Sequence, residues 1–277
     1  MQVASHPRVD TPPEERKIWR YTSLPKLVSI LSSGALFFAR ADSFEDNAEG
    51  ALPKATKQRR DKLLEGLDSK LSDEFIPSIT RGFTQFTYIN CWHLKESESA
   101  TMWSSYSDSD PTICIESTVG RLRDAIDRSD SEEDDDVYIH KIQYVDYEEF
   151  DVHDWDPVNI SDYLPPYLYK RLEFAGESEL RAIVQRQPRA VVYQTPEGPE
   201  FYPGDKQKEM GVEPENPQGG LPVSVNPGIL CARIHVSENA PEWKAEAVET
   251  VVNEFTSSEA YTLPVVHSNL HSADAVF

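Results

Sequence analysis

The chain has 277 residues, 48 of them Asp or Glu against 27 Lys or Arg, giving a formal net charge of −21 with 39% hydrophobic residues. That length and apolar content can bury one large core without disulfides. The charge excludes broad nucleic-acid binding, whose sequence-independent affinity comes almost entirely from Lys and Arg, and disfavours docking on anionic lipid.

Residues 1–16 are polar, carry Pro12-Pro13 and read as a flexible arm before a single α+β domain over 17–277. They hold no basic flank leading into an apolar stretch, and no run in the chain nears the roughly 20 apolar residues of a membrane span, so a cytoplasmic protein without membrane contact is expected. Cys91, Cys114 and Cys231 are isolated thiols, which suits a reducing compartment and excludes a CxxC site.

Ile18-Trp19-Arg20-Tyr21-Thr22 is β-prone. Ser23 then stands where it can cap a helix over 24–33, its face made by Leu24, Leu27, Val28, Ile30 and Leu31 and its stop by Gly34. A strand over 35–39 follows, and 40–50 reads as a polar loop with Phe44 as its one large aromatic. The mixed-charge stretch 54–71 predicts an exposed helix. Alternation predicts a strand over 83–92, and Glu98 or Ser99 opens a short helix that brings Met102, Trp103 and Tyr106 onto nearby faces.

Beyond it, a strand is predicted over 111–117, a helix over 119–127 and the clearest alternating strand over 137–145, with His140 expected to face solvent. The acidic run 130–136 lacks the glycine and spacing of a calcium loop and reads as a solvated turn. Tyr167, Leu168, Leu172 and Phe174 suggest a helix over 165–174, and 177–184 a loop entering a strand. The segment 195–228 holds many of the 20 Pro and 12 Gly and reads as an insertion or hairpin with little core. A strand over 229–236 and an amphipathic helix over 242–255 close the chain. Strands and helices interleave irregularly, which predicts a mixed, twisted, split β-sheet flanked by helices. Acid dispersed along the whole chain, with few Lys, is the pattern of adaptation to high salt.

No GxGxxG follows the first strand, and Walker, HExxH and GxSxG motifs are absent. The seven His are scattered, so no structural metal is expected. His93 ends its strand as a lone histidine.

Several segments together resemble domain of unknown function 2971, an uncharacterised prokaryotic family. They are 18–22 with Leu27, Gly34 and Leu36-Phe37-Phe38; Asp42-Ser43-Phe44-Glu45-Asp46 with Glu49-Gly50; Cys91-Trp92 with Glu98-Ser99, Met102-Trp103 and Tyr106; and Glu177, Glu179 and Arg181. Two departures stand out: Phe44-Glu45-Asp46-Asn47 in place of Phe-Asn-Asp-Pro, and Leu180 where the family has Trp between Glu and Arg.

More distantly, the arrangement is similar to small ADP-ribosyltransferases. That resemblance implies NAD as the cofactor and an ADP-ribosyltransferase-like fold, with possible roles in defence or toxin systems. Glu179 and Arg20 would be the catalytic pair, with Tyr21, Thr22, Arg40, Trp103, Tyr106 and Arg181 binding the cofactor and Phe44, Asp46, Glu49 and Glu177 as further cleft residues. Its partners would be a small nucleotide and a macromolecular target.

Three rival readings stand beside it. Arg20 and Arg181 could be cationic members of a buried ion-pair network with Asp46, Glu49 and Glu179, and Trp92, Trp103 and Tyr106 ordinary core aromatics. The cleft could serve a non-enzymatic nucleotide sensor or interaction module. Asp42, Asp46, Glu49 and Glu179 around Mg²⁺ would make a metal-dependent nuclease.

Overall fold

Pro25 in the first turn and Gly34 just past the last turn fix the helix α1 (Leu24–Ser33). Proline there gives up an N–H that has no helical partner, and Gly34 adopts a left-handed φ of 60° while its N–H closes on the Ile30 carbonyl at 3.0 Å. Ser23 occupies the cap position without a side-chain cap bond. This computed structural model describes residues 1–46, 48–65, 83–106, 112–127, 134–159, 162–186, 191–195, 198–202, 219–257 and 261–270.

In chain order the strands are β1 (Gln2–Val3), β2 (Lys17–Ser23), β3 (Ala35–Arg40), β4 (Thr87–Leu94), β5 (Thr112–Thr118), β6 (Asp136–Lys141), β7 (Gln143–Val145), β8 (Tyr169–Arg171), β9 (Glu179–Gln185), β10 (Val191–Thr195), β11 (Gly198–Tyr202), β12 (Gly220–Ser224), β13 (Arg233–Val236) and β14 (Val265–His267). After α1 the helices are α2 (Lys54–Leu64), α3 (Ala100–Ser105), α4 (Val119–Asp127), α5 (Pro227–Leu230) and α6 (Glu242–Thr256).

The main sheet runs β1-β6-β9-β4-β2-β5-β13-β14, with β3 and β12 branching from β4. Most pairs are antiparallel, while β1 with β6 and β13 with β14 are parallel. One face packs on α1, α4 and α6 through Leu27, Ile30, Leu122, Ile126, Val248 and Val252. The other face carries a second cluster around Phe83, Trp155, Tyr163 and Tyr167, and a small third one of Trp19, Tyr21, Trp103 and Cys114. The fold is thus a mixed sheet flanked by helices, as the pattern predicts. No helix among the described residues is long and apolar enough to cross a membrane.

The split lies along one edge of β4. Its first half pairs with β3 (Ala39 to Ile89, Arg40 to Tyr88) and its second half with β2 (Ile18 to Leu94, Trp19 to His93), leaving Asn90–Trp92 between two diverging strands. On its other edge β4 pairs continuously with β9.

Several expectations need correction. The 1–16 segment is tied down: β1 joins β6, Thr11 Oγ1 donates to the Ile139 carbonyl, and the Gly120 N–H donates to the Glu14 carbonyl. Residues 83–86 are helical, so the strand starts at Thr87. The 137–145 strand breaks at Ile142 into β6 and β7, and β7 pairs with β8. In place of a helix over 165–174 there is a 3-10 turn at Pro165–Tyr167, strand β8 and a second 3-10 turn at Leu172–Glu177, because Pro165-Pro166 cannot donate to a helical ladder.

Part of the Pro/Gly-rich segment is core: β12 pairs with β3 and buries Leu221 and Val223, while β10 and β11 form a hairpin. Residues 227–230 form α5 ahead of β13, so the strand expected from 229 starts only at Arg233. His140 is fully buried, accepting the Asp10 N–H at Nδ1 (2.9 Å) and donating from Nε2 to the Leu168 carbonyl (3.1 Å). The end of the 54–71 helix, most of the 130–136 run and residues 203–218 lie outside the described residues.

Candidate functional site

Where β2 and β3 part, the backbone of β4 loses its ladder partner, and side chains take over. Arg20 Nη1 donates to the Asn90 side-chain oxygen and to the Cys91 carbonyl, both at 2.8 Å. Asn90 in turn accepts from Trp92 Nε1 (2.8 Å) and donates to the Phe37 carbonyl (2.9 Å), so it spans the gap from β4 to β3. Burial lowers the pKa of the Arg20 guanidinium, against a smaller opposing pull from Cys91 and Tyr106. Among the described residues its hydrogen bonds go to neutral acceptors only, which leaves a cation without a carboxylate beside an acidic network.

That network begins one residue further along β4. Cys91 faces Arg181 across the β4–β9 ladder, and His93 faces Glu179. Arg181 is fully buried and grips two carboxylates: Glu49 at 2.6 and 2.8 Å, and Glu179 at 2.8 and 3.2 Å. It also donates to the Tyr167 carbonyl at 3.1 Å. Lys170 reaches Glu179 at 3.2 Å and pairs with Glu177 as well.

Burial pushes the Glu179 carboxyl up, but Arg181 foremost, with Lys170 and the Cys91 thiol, outweighs it and holds the group at about 2. The Glu179 anion is therefore permanent at neutral pH. Burial, with Glu179 next in size, drives the Cys91 thiol well above its ordinary range, so it remains a hydrogen-bond donor. Burial works against the Lys170 charge, yet Glu179 and Glu177 raise its pKa overall.

Backbone geometry places these groups. Ser178 has φ 43°, a left-handed conformation that an L-residue adopts at a cost of about 1 kcal/mol, and its carbonyl accepts the Leu94 N–H at 2.8 Å. Gly50, at φ 71°, lies against the Tyr167 ring so closely that a Cβ would stand 2.7 Å from it, and this brings the neighbouring Glu49 under Arg181. The Tyr144 hydroxyl accepts the Glu179 N–H at 2.8 Å.

Over this floor sits a ring cluster. Tyr21 stacks on half-exposed Tyr106 (6.2 Å, 29°) and meets Trp103 (5.2 Å) and His93 (6.2 Å) edge-on. The Tyr21 hydroxyl accepts the Ser99 N–H at 2.7 Å, which ties the start of α3 to β2. Trp103 Nε1 donates to Glu98 at 2.9 Å. Glu98 and Glu116 flank buried His235 at 3.3 and 2.9 Å. Burial would raise the Glu98 carboxyl, but bonds from His235, Ser268 and Trp103 hold it at about 2.

The structure brings Arg20, Tyr21, Trp103, Tyr106, Glu49, Glu177, Glu179 and Arg181 into one neighbourhood. Others named from sequence lie apart. Thr22 is buried opposite Ile113, Arg40 pairs with Asp42 at 2.5 Å at the far end of β4, and Phe44 packs into the second core cluster. Asp46 pairs with Arg171 at 2.8 Å rather than with Arg20 or Arg181. Of the carboxylates of the nuclease reading, Asp42 and Asp46 are held by separate cations and only Glu49 and Glu179 share one, Arg181, and no group of three or more His, Cys, Asp or Glu among the described residues is placed to hold a metal ion. Asn90, Tyr144 and Lys170 also belong to the site: the first two join through partners distant in sequence, and Lys170 through the 3-10 turn that folds it back onto Glu177 and Glu179.

Fold and site together define an α+β protein with a split mixed sheet, an arginine bridging the split, and a buried carboxylate network beside an aromatic cluster. No family model matches the chain, and no curated protein matches it either. Among solved structures it is similar to Thermus sp. 2.9 DarT in complex with ADP-ribosylated single-stranded DNA, at 13% identity and a TM-score of 0.33, over 93% of this chain and 97% of that one.

Proposed function

We propose that the gap beside β4 binds an NAD-type nucleotide and that the chain is an ADP-ribosyltransferase-like enzyme. The observation that carries this reading is the meeting, across Cys91, of a guanidinium without a carboxylate partner among the described residues (Arg20) and a carboxylate held ionised (Glu179). In this reading Arg20 takes a phosphate, for which a guanidinium fork is suited. Tyr21 and Tyr106 offer a flat surface for a ring.

Cleavage of the bond between ribose C1′ and the nicotinamide nitrogen sends its electron pair to the departing neutral nicotinamide and leaves positive charge on the ribose. Glu179 would stabilise that charge and orient the 2′-hydroxyl. A target nucleophile then bonds to C1′ and releases its proton. Incubation with NAD should release nicotinamide and label a target, and Glu179→Gln should reduce the release at least about a hundredfold, the usual size of such a loss. Absence of nicotinamide release across candidate targets would overturn the reading.

A second reading has its own observation. Arg181, Lys170 and the Cys91 thiol already engage the Glu179 carboxylate, as in a structural network. A nucleotide-sensing module would bind NAD without turning it over.

A further inference from the structure

His93 is 2% exposed, and the two sides of its ring are unequal. Nδ1 lies against the Glu177 carbonyl, which can only accept, so Nδ1 carries the proton and Nε2 presents a lone pair. That Nε2 is buried and has no hydrogen-bond partner among the described residues. An unpaired buried acceptor costs about 1–3 kcal/mol, and a donor that reaches it recovers this on binding. The ring lies edge-on to Tyr21, within the same cluster as Trp103 and Tyr106, and is joined through Glu177 to the turn that leads into Glu179.

Resting on the NAD reading, we propose that His93 Nε2 accepts a hydrogen bond from the N–H of a ring carboxamide, which makes the aromatic cluster selective for nicotinamide over nicotinate. A carboxylate has no proton to offer this lone pair and would add a further anion beside Glu177 and Glu179. The carboxamide is planar, neutral and rich in donors.

Titration with nicotinamide, nicotinate and adenosine, followed by calorimetry and by the imidazole ¹⁵N resonances, tests this. Nicotinamide should bind about tenfold or more tightly than nicotinate, the worth of one hydrogen bond to a buried acceptor, and should move the Nε2 resonance while Nδ1 stays protonated. His93→Leu should erase the preference, whereas His93→Gln, which keeps an acceptor, should retain most of it. A structural role alone would change stability in both variants without changing the ratio.

Equal or absent binding of the two pyridines, an unchanged ratio in His93→Leu, or His93-dependent binding of adenosine alone would overturn the inference. Nicotinamide release from NAD without any carboxamide preference would sink the role of His93 and leave the enzyme reading standing. Carboxamide preference without release would do the reverse.

Discussion

Glu49 and Arg181 lie 132 positions apart in the chain and close on each other at two points, Nη1 to Oε1 at 2.6 Å and Nη2 to Oε2 at 2.8 Å. The same guanidinium holds Glu179 with its remaining edge, so one buried cation serves two carboxylates that enter from the loop after β3 and the start of β9. Such a pairing ties two otherwise separate parts of the chain, because neither anion can be left unpaired without a large desolvation cost.

Arg181→Met should therefore cost about 3–5 kcal/mol, the range for removing one partner of a buried ion pair. Arg181→Lys should fall between Met and wild type, since an ammonium cannot present a fork to two carboxylates. Urea denaturation of the three proteins reads this directly. A loss of less than about 1 kcal/mol in Arg181→Met would place the pair in the class of weak, solvated bridges.

Acid should act through Glu179. Its carboxyl is held at about 2, below its ordinary 4.5, so it contributes stability that is fully present above pH 4.5 and is lost as pH falls toward 2. Integrated over that window, the contribution is about 3 kcal/mol. Glu179→Gln should be less stable at pH 7 yet show a flatter stability profile between pH 5 and 3. Parallel profiles for variant and wild type would contradict this.

His140 should act in a higher window. Burial pushes its pKa from 6.5 down to about 4, and its Nδ1 must stay unprotonated to accept the Asp10 N–H. Since the unfolded chain takes up this proton first, stability is complete above pH 6.5 and declines as pH falls toward 4, by about 3 kcal/mol in all. His140→Gln can keep an acceptor for Asp10 without titrating. It should remove the slope between pH 6.5 and 4.5 in urea titrations, and an unchanged slope would assign that slope to other groups.

The first module is legible because its signals are local: Gly34 stops a helix whose buried face, Leu27 and Ile30, recurs at helical spacing, although Ser23, expected to cap it, makes no side-chain cap bond. The split was expected from irregular interleaving, but not its position, which depends on Asn90 and Arg20 meeting across 70 residues. Alternation along β6 points His140 toward solvent but says nothing about the 3-10 turn whose end at Leu168 covers it. In β12 the alternation of Leu221 and Val223 was hidden by the surrounding Pro and Gly, although pairing with β3 buries both. Glu179 and Arg181 were found by resemblance to a family. Their partner Lys170 was not assigned, because a 3-10 turn and a left-handed Ser178 fold it back onto them.

Gly50→Ala tests whether the loop holding Glu49 needs its close approach to Tyr167. The new Cβ would stand 2.7 Å from the ring on a backbone at φ 71°, so both overpacking and backbone strain apply. A loss of about 2–4 kcal/mol is expected from their sum. Because Glu49 would move with the loop, Gly50→Ala combined with Glu49→Gln should lose less than the two single changes added together. Strict additivity would show that Gly50 does not position Glu49.

Arg20 allows a structural role and a binding role to be measured on one side chain. Arg20→Leu removes the donor to the Cys91 carbonyl and one of the two donors to Asn90, so about 1–3 kcal/mol of stability should go with the unpaired acceptors. Arg20→Lys keeps the charge but cannot both bridge the gap and present a second edge to a phosphate. If Arg20 also holds a nucleotide phosphate, binding of ADP-ribose should fall in the order wild type, Lys, Leu, by about tenfold or more from first to last. The fall should exceed what the stability change alone predicts when each protein is assayed well below its Tm. Equal ADP-ribose affinity in all three folded proteins would make Arg20 a strut of the split sheet, and the phosphate site would have to be sought elsewhere on the chain.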